Sequence, residues 1–284
     1  MRTLVILGLC SFAVAPAAAA GSAAPPRERG LEARKDIVFC EDFERDDWKR
    51  QWTAPDEKSS VTEDPATVFQ GRRALQVRAK AKEHGTDGWH RIVFPEGLAK
   101  VHVRAYFFFP KDFAIAPCNG VKLFGVGATP RERKPDGYPI WKSSVVPNGR
   151  DFFNTMLTVT NRWQLSFYYY NPDQRGEYGT GRDCNQPGPG KLTTGQWQCI
   201  ELMCQANDPG RKNGVIRAWL DGRPCGQVEG IRFRDVENVV LREMALVGYF
   251  GGAGPTNTSP KDQCYFVDSL VVAREYIGPA GASK

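Results

Sequence analysis

Three side chains able to move protons or bind anions occur at every second position of one apolar stretch: His102, Arg104 and Tyr106. Side chains alternate between the two faces of a β-strand, so these three share one face of a predicted strand from Lys100 to Phe109. The apolar residues between them share the other face, which suits a core. A core face would not carry a histidine, an arginine and a tyrosine without partners. The spacing therefore predicts a polar strand face that lines a cleft.

Two later predicted strands also alternate polar and apolar residues. One contains Lys122, and the other contains Gln164, Tyr168 and Tyr170. We interpret these strands as neighbours of the first one in a single sheet whose polar face lines the cleft. The residues expected to converge on that concave face are His102, Arg104, Lys122, Tyr168 and Tyr170.

Each of these side chains has a chemical role and a structural alternative. Arg104 would pair with a ligand carboxylate, or else with an acid on a neighbouring strand. Histidine ordinarily titrates near working pH, so His102 suits a general base, but a hydrogen-bonded structural histidine is the alternative. Tyr168 and Tyr170 would act as base or acid, or else pack within the sheet or stack on a ligand ring. Lys122 is expected to contact the substrate; Tyr106 and Gln164 would assist in binding it.

Composition predicts one large all-β domain over residues 37–278. The chain has 29 Gly and 20 Pro, and 11% of its residues are aromatic, which favours many strands joined by tight turns. A strand pair joined by Asp221-Gly222 is a strong hairpin signal. No internal repeat or amphipathic helix is visible. We expect two packed antiparallel sheets.

The chain ends are predicted to lie outside this domain. Residues 1–20 combine Arg2, a short apolar run and Ala18-Ala19-Ala20, which is typical of a secretory signal peptide. Residues 21–36 form an Ala/Pro-rich flexible lead-in and residues 279–284 a tail. The apolar run is too short to span a membrane as a helix, and no other approaches that length. A secreted or periplasmic location follows.

The formal charge of +6 is a mild excess that favours an acidic polymer as the partner. A nucleic-acid binder usually clusters its basic residues, so nucleic acid is not expected, nor is a membrane. A monomer is expected. Seven of the eight cysteines follow the predicted signal peptide, and export favours at least one disulfide with one or more thiols left over. Cys118 with Cys184 is a guess, because both lie in loop-like sequence near the predicted cleft.

The C-terminal third carries a recognisable set of motifs: GQWQCIELMCQAN, NGVIRAWLDG, IRFRD, YFGG and YFVDSLVV. Together they resemble the concanavalin-like jelly-roll polysaccharide lyases of the alginate-lyase and glucuronan-lyase type, and a related secreted fungal protein induced on cellulose. The resemblance implies a two-sheet antiparallel β-jelly roll. It also implies β-elimination on a uronic-acid polysaccharide, in which a base removes the C5 proton and an acid protonates the leaving oxygen.

The resemblance also assigns roles to residues. The alginate-lyase pattern has a lysine on one strand and Tyr-x-Tyr on another, which Lys122 and Tyr168-Tyr169-Tyr170 match. It has a serine and an arginine on the strand before Tyr-x-Tyr, where this chain has Asn154 and Met156. The His102/Arg104 pair, similar to the glucuronan-lyase relatives, would supply the missing charge, and Asn154 would bind substrate. Loss of that arginine favours the alternative, a non-catalytic carbohydrate-binding protein.

The resemblance further implies a structural calcium ion. In this type of jelly roll the first and last strands are neighbours and commonly share Ca²⁺, which prefers hard oxygen ligands. The expected ligands are Glu41, Asp42 and Glu44 at the end of the first strand and Asp268 in the last. Solvated charge is the alternative.

Overall fold

Two antiparallel sheets make up the fold in the computed structural model, which describes residues 31, 34–133, 141, 144–252 and 254–281. The prediction of an all-β, two-sheet fold is confirmed. The predicted signal peptide and nearly all of the lead-in lie outside the described residues, so those assignments stay predictions. No helix in the described part of the chain is long and apolar enough to cross a membrane.

Fourteen strands and two short 3-10 helices (Trp48–Gln51 and Pro65–Thr67) are present in the described residues. The strands are β1 Ile37–Glu41, β2 Ser60–Thr62, β3 Ala74–Ala79, β4 His90–Leu98, β5 Lys100–Phe108, β6 Gly120–Pro130, β7 Phe153–Thr160, β8 Leu165–Tyr170, β9 Thr180–Asp183, β10 Trp197–Gln205, β11 Gly214–Leu220, β12 Arg223–Ile231, β13 Val239–Gly251 and β14 Gln263–Ala273. The eight-stranded sheet has the order β12-β11-β10-β5-β14-β3-β2, and β1 also pairs with β14. The six-stranded sheet has the order β4-β13-β6-β7-β8-β9.

The core lies between the two sheets and is filled by the apolar half of each alternating strand. On β5 the residues Val101, Val103 and Phe107 are buried there, and the Phe107 ring stacks on Phe124 of the other sheet at 5.6 Å. Because alternate residues point oppositely, His102, Arg104 and Tyr106 of β5 must face away from the six-stranded sheet.

The hairpin predicted at Asp221-Gly222 is present. It joins β11 to β12, with Leu220 opposite Arg223 in the register. Asp221 and Gly222 have φ of 50° and 76°, the left-handed conformation that a two-residue type I′ turn needs at both positions.

The described cysteines, Cys40 among them, are all free thiols in the structure. The guessed pairing of Cys118 with Cys184 is wrong. The Cys118 thiol lies at the start of β6, where it donates to the carbonyl oxygens of Gly120 and Gly251 at 3.2 and 3.5 Å. Cys184 follows β9 and contacts a different cysteine, Cys225.

The centre of the outer face of the eight-stranded sheet is covered by the segment that follows β14. The buried Glu201 carboxylate accepts hydrogen bonds from the backbone N–H groups of Ile277 and Gly278 at 3.0 and 2.8 Å. The same carboxylate lies 2.8 Å from His102 Nδ1. The Ala280 N–H donates to the Tyr106 hydroxyl at 2.6 Å. The part of this sheet face over β5 and β10 is therefore covered by the chain itself.

Replacing Glu201 by Ala should lower the free energy of unfolding by about 2–4 kcal/mol, because buried donors lose their acceptor. Urea denaturation measures the loss. Glu229→Ala is the control, since that carboxylate contacts Arg217 and Gln227 at the surface, and its loss should stay within about 1 kcal/mol. Equal effects of the two substitutions would contradict the view that the C-terminal segment is anchored on Glu201.

Candidate functional site

Four adjacent strands of the six-stranded sheet place a row of functional side chains on its outer face. Tyr249 of β13 lies opposite Lys122 of β6, and Met156 of β7 lies opposite Tyr168 of β8. All four belong to a set of residues separate from the core between the sheets. Strand alternation explains this, because the residues beside them in sequence fill the core.

The row forms the floor of a cleft of about 880 Å³. Its walls include Trp89, Trp141 and Tyr178, and the indoles of the two tryptophans meet edge to face at 6.0 Å. The Trp141 Nε1–H donates to Glu243 at 3.3 Å, and Arg91 donates to the same carboxylate oxygen at 3.3 Å. A cleft of this volume with aromatic walls and a few polar groups suits a small ligand or a short stretch of polymer.

Lys122 supplies a cation at the middle of this floor. Its Nζ lies 5.2 Å from the Tyr168 ring centroid and 5.0 Å from that of Tyr249. Burial lowers the pKa of Lys122, because water is partly removed from the ammonium. Within the described residues, no salt bridge to Lys122 is found. The groups beside its charge are the faces of the Tyr168 and Tyr249 rings.

Tyr168 and Tyr170 form a hydrogen-bonded pair beside this lysine. Their hydroxyl oxygens are 3.1 Å apart, and the Gly179 N–H donates to the Tyr168 hydroxyl at 3.2 Å. Burial, and then the hydrogen bond with Tyr170, raise the pKa of Tyr168, so it stays protonated at neutral pH. A Cβ on Gly179 would lie 2.9 Å from the Tyr170 ring and 2.8 Å from the Tyr169 carbonyl oxygen, so this close approach requires glycine.

Tyr170 lies deeper than Tyr168. Only 2% of it is exposed, and it packs with Met156 and Val247 below the cleft rather than lining it. The structure therefore places Tyr168 where it can touch a ligand and Tyr170 where it can hold the Tyr168 hydroxyl.

His84 is a second titratable group in the cleft. Its ring stacks on Tyr249 with centroids 5.5 Å apart, and its Nδ1 lies 3.2 Å from the Phe250 carbonyl oxygen. A carbonyl only accepts hydrogen bonds, so Nδ1 carries the proton and Nε2 of the neutral ring keeps a lone pair.

Sequence patterns do not identify several of these cleft residues. His84 lies in a polar loop between β3 and β4, where no alternation marks it. Trp141 lies in the long Pro/Gly-rich stretch from Thr129 to Arg150. Tyr249 belongs to the YFGG motif, whose position opposite Lys122 depends on the pairing of β13 with β6.

The prediction that five residues converge on one face is wrong for His102 and Arg104. Both lie on β5 of the eight-stranded sheet, on the side that faces away from the core. Arg104 is fully buried and donates to the Ser269 carbonyl oxygen at 2.9 Å. Tyr106, predicted to bind substrate, stacks against Phe69 at 3.7 Å. These residues pack on the covered face of the eight-stranded sheet. They do not reach the cleft, because the interior separates β5 from it.

Of the two further predicted binding residues, Asn154 lies nearer the cleft. It is fully buried on β7, opposite Tyr170, and two residues before Met156. The prediction that Gln164 lies in the cleft is wrong. Its Nε2 donates to the Cys184 carbonyl oxygen at 2.5 Å and thereby holds the segment after β9.

The four predicted calcium ligands bind backbone groups at separate points. Glu41 accepts from the Phe43 N–H at 2.7 Å, and Asp42 accepts from the Glu44 N–H at 3.2 Å. The Glu44 carboxylate accepts from the N–H groups of Arg72 and Arg73. Asp268 accepts from the N–H groups of Phe69, Gln70 and Ser269.

In the described ranges, no group of three or more His, Cys, Asp or Glu side chains is placed to hold one metal ion. Burial outweighs the donors on Asp268 and raises its pKa to about 7. Calcium binding stays a prediction from the resemblance alone.

A melting experiment in chelator tests that prediction. If calcium joins the first strand to the last, chelation should lower the melting temperature and added calcium should restore it, because the ion binds the folded state. Magnesium at the same concentration is the control for ionic strength. Identical melting curves in chelator and in calcium would remove the ion from the account.

Comparison with known proteins gives these geometric features a context. Residues 179–269 match the polysaccharide lyase 14 family model. No curated protein sequence matches the chain. The matched range begins at Gly179, which contacts Tyr168, and includes β9 to most of β14.

Solved structures of similar fold include lyases from several sources. The PL-14 alginate lyase of Aplysia kurodai aligns at 17% identity over 84% of this chain and 99% of its own, with a TM-score of 0.66. Alginate lyase Aly36B aligns at 17% identity over 77% and 88%, with 0.57. The endo-β-1,4-glucuronan lyase of the fungus Trichoderma reesei aligns at 15% over 84% and 96%, with 0.52. The cellulose-induced protein Cip1 aligns at 13% over 85% and 99%, with 0.52.

These findings confirm the resemblance stated from the sequence. The structural matches confirm the jelly-roll fold, and the family match supports the predicted enzyme class, a polysaccharide lyase.

Proposed function

We propose that this protein is a secreted or periplasmic polysaccharide lyase that cleaves a uronic-acid-containing polysaccharide by β-elimination in the cleft of the six-stranded sheet. One observation carries the proposal. The Lys122 ammonium lies between two tyrosine rings, partly removed from water, on the floor of an aromatic cleft. A ligand carboxylate would supply the anion that this position favours. The location rests on the predicted signal peptide.

The carboxylate at C5 of a uronic acid is the group that Lys122 would bind. When the C5 proton leaves, negative charge grows on this carboxylate. An ammonium already placed beside it stabilises that charge without reorganisation, and the partly dry site strengthens the interaction. Arg104 has no part in this step, because it is buried on the other sheet.

Proton transfer would use the two other groups at the cleft surface. His84 Nε2 has a lone pair and takes the C5 proton as general base. The bond from C4 to the glycosidic oxygen then breaks, a C4–C5 double bond forms, and the electron pair of the broken bond goes to the oxygen. Tyr168 donates its proton to that oxygen, since its raised pKa keeps it protonated. Proton transfer from His84 back to Tyr168, directly or through water, restores both.

Tyr170 and Gly179 would act through Tyr168 rather than on the substrate. They contact its hydroxyl from two directions and hold it in position. The tryptophans and tyrosines of the walls offer flat apolar surfaces for neighbouring sugar rings. Aly36B was solved in complex with alginate trisaccharide and alginate tetrasaccharide, which supports an oligosaccharide as the occupant of such a cleft.

A non-catalytic carbohydrate-binding protein is the second candidate. Met156 favours it, because the alginate-lyase pattern has an arginine at this place and Met156 lies on the cleft floor next to Tyr168. Binding by stacking and one ion pair would need no proton transfer.

A product assay separates the two candidates. The purified protein is incubated with polymannuronate, polyguluronate, polyglucuronate and a neutral glucan, and the ultraviolet absorbance of the new C4–C5 double bond is followed. The lyase account expects absorbance from at least one uronic-acid polymer and none from the glucan. Binding to a uronic-acid polymer without any unsaturated ends would establish the binding protein instead.

Replacing Lys122 by Met should reduce kcat/KM by about 10²-fold or more, as expected on losing one preorganised charge partner. Lys122→Arg keeps a cation that stays charged at higher pH. It should therefore retain part of the activity and extend the alkaline limb of the pH profile, because burial lowers the pKa of the lysine. Lys100→Met is the matched control, since Lys100 pairs with Glu275 at the surface of the other sheet.

Two outcomes of this series would alter the account. Full activity of Lys122→Met would remove Lys122 from the site. Complete loss in Lys122→Arg, with binding preserved, would mean that Lys122 acts as the base instead of the charge partner.

A further inference from the structure

Two buried cysteines meet where the outer edges of the two sheets approach each other. Cys184 directly follows β9, the last strand of the six-stranded sheet, and Cys225 lies in β12, the last strand of the eight-stranded sheet. Their exposed fractions are 0% and 1%. The thiol of Cys184 is within hydrogen-bonding contact of the thiol of Cys225.

The residue after Cys225 is Gly226, and its lack of a side chain leaves room for this contact. A Cβ on Gly226 would lie 2.7 Å from the Cys184 Sγ and 3.0 Å from its Cβ. No real side chain tolerates such distances from these two atoms, so β12 approaches Cys184 closely because this position is glycine.

The backbone of Cys184 is also held in place. Its carbonyl oxygen accepts from the Gln164 side chain at 2.5 Å and from the Gly190 N–H at 2.9 Å, and its N–H donates to the Leu165 carbonyl oxygen at 2.8 Å. A cysteine fixed in this way beside a second thiol loses little further conformational freedom when it forms an S–S bond.

We propose that Cys184 and Cys225 form a disulfide that joins the free edges of the two sheets when the chain folds in an oxidising compartment. The two thiols are already in contact, and a disulfide needs two cysteines whose side chains approach each other. Sequence alone does not find it, because 40 residues separate the two cysteines and several other cysteines compete.

The chemistry requires an external disulfide as oxidant, such as a thiol oxidoreductase of the exporting compartment. The thiolate of one cysteine attacks that disulfide, and a mixed disulfide forms as the oxidant releases one thiolate. The second cysteine, as thiolate, then displaces the remaining oxidant sulfur. One S–S bond forms in the protein and one is broken in the oxidant. The two protons of the cysteines pass to the reduced dithiol.

This oxidation takes place during folding, before the two cysteines are buried. The hydrogen bond with Cys225 and burial raise the pKa of the Cys184 thiol, so its thiolate is scarce once the edges have closed. An oxidant added to folded, reduced protein should therefore act slowly.

The bond would restrain one side of the cleft. β9 begins directly after Gly179, whose N–H donates to the Tyr168 hydroxyl, and it ends directly before Cys184. With β12 linked to its far end, this edge strand is held at both ends, and the Gly179 contact on Tyr168 is supported.

Peptide mapping tests the proposal on the full chain purified from an oxidising compartment. Free thiols are blocked with an alkylating reagent in denaturant without reductant, the protein is digested, and the peptides are measured by mass spectrometry. We expect a linked peptide pair joining Cys184 to Cys225, which shifts on reduction. Alkylation of both residues in the first step would overturn the proposal, and so would a link from Cys184 to any other cysteine.

Melting temperature supplies a second readout. Cys184→Ser and Cys225→Ser should each melt about 5–10 °C below the parent, and the double variant should melt no lower than the singles, because one bond is lost in all three. Cys264→Ser, at a half-buried site on β14, is the control and should leave the linked peptides unchanged. Additive losses in the double variant would contradict a shared bond. If a variant fails to fold, the mapping of the parent protein still decides.

Discussion

A two-sheet sandwich has a single interior, and this constraint decides where the chemistry of this protein lies. Each strand buries one half of its alternating residues against the other sheet. The other half points outward, so every functional strand face belongs to one of two outer surfaces. The C-terminal segment covers the centre of the eight-stranded surface and is anchored by Glu201. The six-stranded surface has the cleft of about 880 Å³ that contains Lys122.

The electrostatics of the cleft follow from this arrangement. Shielding an ammonium from water disfavours its charged form, and burial accordingly lowers the pKa of Lys122. The rings of Tyr168 and Tyr249 offset part of that cost. A carboxylate ligand offsets more, since it brings an opposite charge into a region of reduced dielectric. The same desolvation keeps Tyr168 protonated, so its hydroxyl holds the proton that the leaving oxygen needs.

Alternation in the sequence predicts much of this fold and one part of the site. It places His102, Arg104, Lys122 and Tyr168 outside the core, and all four lie outside it. It does not predict to which sheet each strand belongs, because that depends on long-range pairing of β5 with β10 and β14 and of β6 with β13 and β7. For this reason alternation groups Arg104 with Lys122, although the interior separates them. It does not identify His84 and Trp141, because residues in loops have no periodic pattern.

The location of the ligand is the central claim, and one structure tests it directly. The Lys122→Ala variant would be crystallised with a tetrasaccharide of the uronic acid that the protein binds best. The account predicts sugar rings across the outer face of the six-stranded sheet, with one carboxylate beside the vacated ammonium position between Tyr168 and Tyr249. A tetrasaccharide bound on the eight-stranded sheet near His102 and Arg104, with the cleft free of sugar, would contradict it.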